Sequence, residues 1–212
     1  MKEGLLYIIL TPKARGFFIP MFTGIINHLG KVKNKTQNKL YIECSKNLIS
    51  KLSEGASIAI DGICLTVVKM NKDSFEIDLM PETKQRTNIK YLKTGALVDL
   101  ELPTTPTTFL GGHIVYGHID GVAKLKNITD INNSYTLTFS VPASLSKYIA
   151  EKGSISVNGI SLTVIKENKN YFTVGIIPHT WEQTMLHTIK IGNFVNIEVD
   201  VLAKYLDKLL KR

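Results

Sequence analysis

Two side chains that suit nucleophilic or polar chemistry lie in a phrase that occurs twice in this chain, and two that suit proton transfer lie outside it. Cys64 and Ser161 occupy equivalent places in the two copies. His118 and Asp200 have no like-for-like counterpart in the first copy. A histidine suits proton transfer near neutral pH because its ordinary pKa is close to that range. These residue types therefore allow proton transfer around hydroxyls, one imidazole and one thiol.

The phrase itself indicates a duplicated domain. Residues 57–69 return as residues 154–166, and the spacing of 97 positions holds as far as Glu101 and Glu198. Solenoid repeats recur every 20 to 50 residues or so, which is much shorter. Thr66 matches Thr163 at the same spacing. The sequence therefore predicts two copies of one fold, each with its own copy of one pocket.

The two copies differ at selected polar positions. Cys64 stands against Ser161, and Glu82 stands against His179. Two copies of one fold with different polar residues favour a function in which each copy binds the same kind of molecule, but in a different role. Neutral drift after duplication is the alternative, since it produces similar differences.

Several other kinds of site are discouraged. No pair among the histidines has metal-ligand spacing with a cysteine, and no glycine-rich phosphate loop is present, so we expect no metal and no nucleotide cofactor. His113 and His118 each follow a glycine, and such a histidine, taken alone, is more often a structural hydrogen-bonding group. Cys64 has no adjacent base and, taken alone, is more often a core residue than a nucleophile.

Charge and cysteine content bound the surroundings. The formal net charge is +8, but the lysines lie scattered through turns and form no stripe with aromatic residues. This predicts solvated loops and no nucleic-acid partner, although a basic surface can attract an anionic small molecule. No apolar run is long enough for a membrane span. Cys44 and Cys64 are expected to be reduced, which indicates the cytoplasm.

Periodicity predicts an all-β fold. Apolar residues alternate through 57–67 and 154–164, and the Asp61-Gly62 and Asn158-Gly159 pairs are strong hairpin signals. About six short strands per copy predict two tandem six-stranded Greek-key barrels, over residues 21–110 and 111–200. Short helices are expected near 48–52 and 145–150. Proline residues 81 and 178 are expected to end strands.

The two termini lie outside the repeat. Residues 1–20 form an extension, and Met21 is a candidate for the true start. Residues 201–212 predict one helix with an apolar stripe. The pattern leaves open whether that stripe packs on its own barrel or on the same helix of another subunit.

A set of short motifs, in this order and spacing, resembles the riboflavin synthase family of the α-chain type. The motifs occupy residues 21–25, 62–67, 81–83, 111–121, 152–155, 159–164 and 195–200. The resemblance extends from Met21 to about residue 210. It implies a homotrimer assembled by the C-terminal helix, with the first barrel of one subunit facing the second barrel of another.

The resemblance also implies a reaction and its partners. Two molecules of 6,7-dimethyl-8-ribityllumazine exchange a four-carbon unit without a cofactor, which gives riboflavin and 5-amino-6-ribitylamino-uracil. Lumazine synthase is a possible partner. A lumazine- or flavin-carrying antenna protein without catalysis is the alternative function.

The site residues carried over from the family fall into two groups. The first site would use Gly24, Ile25, Ile26, Ser57, Cys64, Leu65, Thr66, Asp78, Leu79, Met80, Pro81, Glu82 and Thr83. The second would use Gly117, His118, Ile119, Lys152, Ser161, Leu162, Thr163, Ile176, Ile177, Pro178, His179, Thr180 and Trp181. The catalytic candidates are His118, Ser161, Thr163 and Asp200, with Cys64 and Ser57 at the other ring. The base that removes the C7-methyl proton stays open: a hydroxide, a water and the ribityl hydroxyl are alternatives.

Overall fold

The computed structural model describes residues 21–132 and 134–211. They form two closed six-stranded antiparallel barrels, which confirms the predicted fold class. The strands of the first barrel are β1 (His28–Lys35), β2 (Lys39–Cys44), β3 (Ser57–Ile60), β4 (Ile63–Met70), β5 (Ser74–Asp78) and β6 (Leu97–Glu101). Those of the second are β7 (Gly121–Ile131), β8 (Ser134–Ser140), β9 (Ser154–Val157), β10 (Ile160–Asn168), β11 (Tyr171–Ile176) and β12 (Phe194–Val199).

Both barrels share one strand order. The first runs β1-β2-β5-β4-β3-β6 and closes through pairing of β1 with β6. The second runs β7-β8-β11-β10-β9-β12 and closes through pairing of β7 with β12. Closure leaves neither sheet with an unpaired edge.

Alternation along the strands decides which side chains reach the outside of each barrel. In β4 the side chains of Ile63, Leu65 and Val67 are buried, whereas Thr66 is exposed and Cys64 is half-buried. Successive side chains of a strand point to opposite faces of a sheet. The thiol and the hydroxyl therefore lie on the outer surface of the barrel, while the aliphatic side chains fill its core.

The short helices agree only partly with the sequence prediction. Helices α1 (Lys46–Ile49) and α3 (Ala143–Ser146) begin two residues before the expected segments. Helices α2 (Pro81–Arg86) and α4 (Pro178–Gln183) were not expected, because their prolines were interpreted only as strand terminators. Proline also favours the first turn of a helix, and it stands there in both. Each is followed by a 3-10 helix, at Asn88–Tyr91 and Met185–Thr188.

The barrels contact each other around a pseudo-twofold axis. A Cβ on Gly159 would lie 2.8 Å from the Gly62 Cα, so only glycine permits this approach of the two hairpins. Phe22 and Val115 form a reciprocal antiparallel bridge between the segments that precede the barrels. Reciprocal contacts of equivalent residues are what a twofold relationship requires.

The last helix, α5 (Val201–Leu210), is tied to the second barrel by polar contacts. Lys204 pairs with Asp120 at 2.7 Å, and Asp207 accepts from Lys147 at 2.7 Å and from Tyr148 at 2.9 Å. The apolar stripe is left exposed on the opposite side, at Leu202, Tyr205, Leu206, Leu209 and Leu210. In a single chain, therefore, the stripe does not pack on its own barrel.

The remaining expectations concern the cysteines, the membrane and the chain start. Cys44 and Cys64 are both free thiols, as expected. No helix in the described part of the chain has the length and apolar character needed to cross a membrane. Residues 1–20 lie outside the described residues, so the start at Met21 stays a prediction, as do the domain boundaries at 110 and 200.

Candidate active site

Two short segments, which we call the straps, shape both candidate pockets. The first strap is residues 22–26 and the second is residues 115–119; each precedes the first strand of its barrel. The Glu198 carboxylate accepts from the backbone N–H groups of Tyr116 and Gly117, both at 2.8 Å. Glu101 likewise accepts from the N–H groups of Thr23 at 2.7 Å and Gly24 at 3.1 Å. A glutamate on the last strand of each barrel thus holds that barrel's own strap.

Each strap then crosses to the other barrel. The Gly24 carbonyl accepts from the N–H of Ser161 at 2.8 Å, and the Gly117 carbonyl accepts from the N–H of Cys64 at 3.0 Å. Gly117 has φ of +75°, and a Cβ there would lie 2.6 Å from the Cys64 Cβ. Glycine is therefore required where the strap passes over the neighbouring strand.

The crossing creates two composite pockets. The first-barrel pocket has a volume of about 370 Å³ and combines the second strap with residues of the first barrel: Cys64, Met80, Glu82, Thr83, Gly117, His118 and Ile119. The second-barrel pocket, of about 140 Å³, combines the first strap with residues of the second barrel: Gly24, Ile25, Ile26, Ser161, His179 and Thr180. Ligand pockets usually measure about 300–1,000 Å³. The second-barrel pocket of one chain is thus too small to enclose a drug-sized ligand.

This arrangement corrects the grouping expected from the sequence. Gly24, Ile25 and Ile26 were assigned to the site of Cys64, but they lie beside Ser161. Gly117, His118 and Ile119 were assigned to the site of Ser161, but they lie beside Cys64. Each strap belongs to one barrel by sequence and by its glutamate, while its far edge lines the pocket of the other.

Some of the expected contact residues face away from the pockets. The side chains of Leu65, Leu79, Leu162 and Ile176 lie in the barrel cores, each at most 8% exposed. Any contact between these residues and a ligand on the outer surface would therefore use their backbone groups. By contrast, Met80 and Ile177, which are equivalent in the repeat, are 68% and 60% exposed. Met80 lines the first-barrel pocket, and Ile177 directly precedes helix α4, whose His179 and Thr180 line the second-barrel pocket.

The Cys64 thiol is held in its neutral form. Burial raises the pKa of Cys64, and the nearby Glu198 carboxylate acts in the same direction, whereas the Ser57 hydroxyl opposes them. Burial also raises the pKa of Glu198 to about 7, although its bonds to the strap N–H groups favour the charged form. A neutral thiol is a much weaker nucleophile than a thiolate. Cys64 is therefore suited to polar contact and weak hydrogen bonding.

The second-barrel side carries a histidine that the sequence interpretation missed. The His113 Nδ1 lies 2.7 Å from the Ser161 Oγ. Burial lowers the pKa of His113, and the Asp200 carboxylate opposes that shift. A neutral imidazole next to a hydroxyl can take up or deliver a proton near neutral pH. His113 was assigned a structural role in a glycine-rich turn; its lack of a repeat counterpart was the available signal.

His118, the histidine favoured from sequence, lies instead in the first-barrel pocket with Cys64. Its ring stacks on Tyr116, with centroids 5.9 Å apart. Asp120 and Lys204, also missed from sequence, form an ion pair at the edge of the same pocket. Because Lys204 lies on helix α5, this helix forms part of the pocket wall. Among the described residues, no cluster of histidine, cysteine and acidic side chains is arranged to hold a metal ion.

Comparison with known proteins agrees with this geometry. Residues 23–103 and 116–200 match the family model of the lumazine binding domain, one match for each barrel. The riboflavin synthase of Photobacterium phosphoreum is 44% identical over 194 residues, covering 90% of this chain and 89% of the relative. The riboflavin synthases of Bacillus subtilis and Mycobacterium tuberculosis are both 38% identical, covering 91% and 98% of the relatives and at least 90% of this chain.

The chain belongs to the riboflavin synthase family. Solved structures show the same architecture. LumP complexed with riboflavin superposes with a TM-score of 0.80 at 25% identity, covering 84% of this chain and 99% of that chain. LumP complexed with 6,7-dimethyl-8-(1'-D-ribityl) lumazine gives a TM-score of 0.77 at 24% identity. The identity to LumP is lower than that to the riboflavin synthases.

The other residues carried over from the riboflavin synthase family line neither pocket of the single chain and lie on neighbouring strands, helices and turns. Ser57 pairs across strands with Thr66, beside Cys64. Asp78 lies 3.9 Å from Lys39 in an exposed ion pair. In the second barrel, Trp181 stacks on Tyr135 with centroids 4.0 Å apart. Prolines 81 and 178 begin α2 and α4, Thr163 is exposed on β10, and Lys152 precedes β9 with φ of +64°.

Proposed function

We propose that this chain is a riboflavin synthase that binds one 6,7-dimethyl-8-ribityllumazine at each barrel pocket and dismutates the pair. One lumazine donates a four-carbon unit and the other accepts it, which yields riboflavin and 5-amino-6-ribitylamino-uracil. The supporting observation is a pocket built twice on one frame with different polar groups: Cys64 with His118 in one, and Ser161 with His113 in the other. Because donor and acceptor are the same compound, the reaction balances without a cofactor.

Proximity supplies much of the proposed rate enhancement. Two rings held in register react without the entropic cost of meeting, which contributes about 7–11 kcal/mol in well-oriented systems. The exposed side chains of Met80 and Ile177 are the proposed apolar contacts for the two rings. The edges of the two lumazine rings would form hydrogen bonds with backbone groups, because the neighbouring aliphatic side chains point into the cores. These backbone groups belong to residues 64–66, 78–83, 161–163 and 176–181.

The remaining chemistry is proton transfer and stabilisation of charge. A proton leaves the C7 methyl group of one lumazine, and the resulting carbanion adds to C7 of the other. We assign polar activation at the second-barrel pocket to Ser161, with His113 as its proton partner at 2.7 Å and Asp200 acting on the His113 charge. Thr163 lies on the same outer face of β10 as Ser161.

The first-barrel pocket has a different polar set. Cys64 and His118 lie together there, and Ser57 contacts the thiol. The neutral thiol and the imidazole make polar contacts with the lumazine in this pocket, which reacts with the activated lumazine of the second-barrel pocket. The base that removes the methyl proton is His113, His118, a water, a hydroxide or the ribityl hydroxyl. The variants described in the Discussion separate the first of these from the others.

A second copy of the chain completes the proposed site. Helix α5 exposes a continuous apolar stripe, and the second-barrel pocket of one chain is too small to enclose a ligand. We propose a homotrimer in which the first-barrel pocket of one subunit faces the second-barrel pocket of the next. This assembly buries the apolar stripe of α5 and encloses the ligands between two subunits. We propose the cytoplasm as the location, which suits the two free thiols. Association with lumazine synthase is a further possible partnership, testable by co-sedimentation of the two proteins.

A carrier that binds lumazine without turnover is the alternative. LumP shares the fold, and its solved complexes contain 6,7-dimethyl-8-(1'-D-ribityl) lumazine, riboflavin or flavin mononucleotide. A carrier, however, has no need of a histidine poised on the Ser161 hydroxyl. The greater identity to the riboflavin synthases also favours the enzyme.

The proposed occupancy is tested by the binding stoichiometry. A Ser161→Ala variant, slowed in turnover, is titrated with 6,7-dimethyl-8-ribityllumazine by calorimetry and by fluorescence. The proposal predicts two molecules per chain with unequal affinities, because the two pockets carry different polar groups. Saturation at one molecule per chain would contradict the two-pocket account and favour a carrier.

A further inference from the structure

A third cavity, which we call the junction cleft, lies between the barrels on the side of the two 3-10 helices. Its volume is about 700 Å³, and its walls are residues 88–97 of the first barrel and 185–194 of the second. It shares no lining residue with the two lumazine pockets. The volume falls within the range of about 300–1,000 Å³ typical of small-molecule sites.

Four lysines surround the junction cleft as two symmetry-related pairs. Lys93 and Lys190 line it directly. The Cε atoms of Lys31 and Lys124 lie 3.9 Å from where a Cβ on Gly95 and Gly192 would stand, so their chains pass beside the same walls. The described chain places no carboxylate within salt-bridge distance of these four amino groups.

The charge balance of the junction cleft is therefore one-sided. Its described lining contains lysines but neither aspartate nor glutamate. Converging cations in a concave surface reinforce one another and raise the local concentration of anions. Elsewhere on the protein, lysines such as Lys33, Lys39 and Lys147 are paired with carboxylates. Other described lysines, such as Lys166 and Lys169, form no ion pair either, so the junction cleft is distinguished by the convergence of its lysines on one cavity.

The floor of the junction cleft is aromatic and aliphatic. Tyr91 and Phe194 stack with centroids 4.3 Å apart and an angle of 11° between their planes. Tyr91 remains 45% exposed, and the Lys90 Nζ lies over its ring, 5.2 Å from the centroid. Leu92, Leu97 and Ile189 contribute aliphatic surface to the same cavity. A planar ring stacked on tyrosine is a common way to bind a nucleobase or a similar heterocycle.

We propose that the junction cleft is a second binding site, for an aromatic organic phosphate of the nucleotide class. The ligand ring packs against the exposed part of Tyr91, where it displaces the Lys90 ammonium, and the phosphate groups lie between Lys93 and Lys190, with Lys31 and Lys124 contributing to the positive potential. Lysine binds phosphate as a flexible point charge, which suits this open geometry. A neutral ribityllumazine uses none of this charge, so the ligand class differs from that of the barrel pockets.

The test is calorimetric titration of the full chain with ADP at low salt. We expect a dissociation constant below about 1 mM, which corresponds to a binding free energy of about 4 kcal/mol or more. The double variant Lys93→Gln with Lys190→Gln should bind ADP at least about tenfold more weakly, which is about 1.4 kcal/mol. Tyr91→Ala should weaken binding as well. The matched control replaces two exposed lysines, Lys166→Gln on β10 and Lys169→Gln in the turn that follows it, and should bind ADP like the parent.

Three further arms discriminate the outcomes. Riboflavin formation from lumazine without ADP should be the same in the parent and the Lys93/Lys190 variant, which shows that the variant is folded. Tripolyphosphate that binds as tightly as ADP would overturn the aromatic part of the proposal. Lumazine that displaces ADP competitively would place ADP in a barrel pocket and overturn the new site, as would an absence of ADP binding at millimolar concentration.

Discussion

The imidazole Nδ1 of His113 lies 2.7 Å from the hydroxyl Oγ of Ser161, and the two residues come from segments 48 positions apart. The backbone N–H of His113 also donates to the carbonyl of Thr23 in the first strap, at 3.1 Å. His113 is therefore fixed between a strap and the strand β10. This contact joins a histidine to the only barrel hydroxyl that stands where the other barrel has a cysteine.

Removal of the Ser161 hydroxyl should reduce turnover strongly. General acid–base groups contribute about 10²- to 10⁴-fold, so we expect Ser161→Ala to lower kcat by about 100-fold or more. Lumazine binding at the first-barrel pocket should be unchanged, because Cys64 and His118 lie there. Steady-state assays of riboflavin formation and fluorescence titration measure the two effects.

The control for that variant is Ser156→Ala. Ser156 pairs directly with Ser161 across strands β9 and β10, and its buried hydroxyl has no hydrogen-bond partner within the described structure. Its removal should leave both kcat and stability nearly unchanged. If Ser156→Ala lowered kcat as much as Ser161→Ala does, the Ser161 hydroxyl would have no special role.

His113→Gln should remove a pH dependence as well as activity. Burial lowers the pKa of His113 below the ordinary value of a histidine, which favours the neutral ring, although the Asp200 carboxylate opposes that shift. The parent should lose kcat as the pH falls through that lowered value, and the variant should be slow with no such acid limb. His28→Gln is the control, because burial lowers the pKa of His28 too, but it lies on β1. An unchanged acid limb in His113→Gln would exclude this role.

The repeat made the fold predictable from the sequence, but the course of the two straps could not be predicted. The constant spacing of 97 positions and the alternation through 57–67 identified two barrels, because local periodicity reflects which face of a strand is buried. The crossing of Gly24 to Ser161 and of Gly117 to Cys64 depends on how the barrels pack, which no local pattern encodes. Helices α2 and α4 were missed because proline fits both a strand end and a helix start.

The strap glutamates are expected to control the pockets indirectly. In Glu198→Gln one carboxylate oxygen becomes an NH2 group, which cannot accept from the strap N–H groups that it then faces: that of Tyr116, or those of Gly117 and His118. A lost charged hydrogen bond costs about 1.5–3 kcal/mol. We expect weaker lumazine binding at the first-barrel pocket, by about tenfold, measured by fluorescence titration.

Glu151→Gln is the matched control for the strap. Glu151 is exposed in the turn before β9, and its replacement should leave lumazine affinity unchanged. Glu101→Gln should produce the corresponding loss at the second-barrel pocket, since Glu101 holds the first strap. Equal effects of Glu198→Gln on both pockets would contradict the assignment of one strap to each.

A buried acidic pair lies at the junction of the barrels. Asp61 and Asp99 are almost fully buried, and one carboxylate oxygen of Asp99 has no hydrogen-bond partner within the described chain. Burial raises the pKa of Asp61 to about 6. Burial raises the pKa of Asp99 well above its ordinary value, and the neighbouring Asp61 adds to the shift. The second barrel has Asn158 and Asn196 in the equivalent places.

Asp99→Asn should therefore stabilise the protein at neutral pH. A raised native pKa means that the folded state binds the proton more tightly, so its contribution to stability is present below about pH 4 and is lost as the pH rises through the native pKa. We expect the variant to exceed the parent at pH 7.5 by about 1–3 kcal/mol in free energy of unfolding, and by less at pH 4.5.

Urea unfolding at the two pH values measures this difference. Asn196→Asp is the mirror control: it adds a third buried carboxylate and should destabilise the protein at pH 7.5. If Asp99→Asn were less stable than the parent at pH 7.5, the ionised carboxylate would be a favourable part of the junction, and the account of the pair would be wrong.

The exposed stripe of α5 predicts self-association. Leu206 is 59% exposed at the centre of the stripe, so Leu206→Lys should dissociate the proposed trimer and reduce turnover by separating the facing pockets. Light scattering after size exclusion gives the mass, and the assay gives the rate. Lys208→Gln, on the same helix, is the control and should leave both unchanged. A Leu206→Lys variant that stayed trimeric would exclude this face as the interface.

The central claim is that two identical lumazines react with each other on this protein. The most direct test is to incubate the purified chain with 6,7-dimethyl-8-ribityllumazine alone, with no cofactor, and to follow both compounds by absorbance and chromatography. The account predicts one riboflavin and one 5-amino-6-ribitylamino-uracil for every two lumazines lost, so riboflavin appears at half the rate of lumazine consumption. Tight binding of lumazine with no riboflavin formed would contradict the account and identify a carrier.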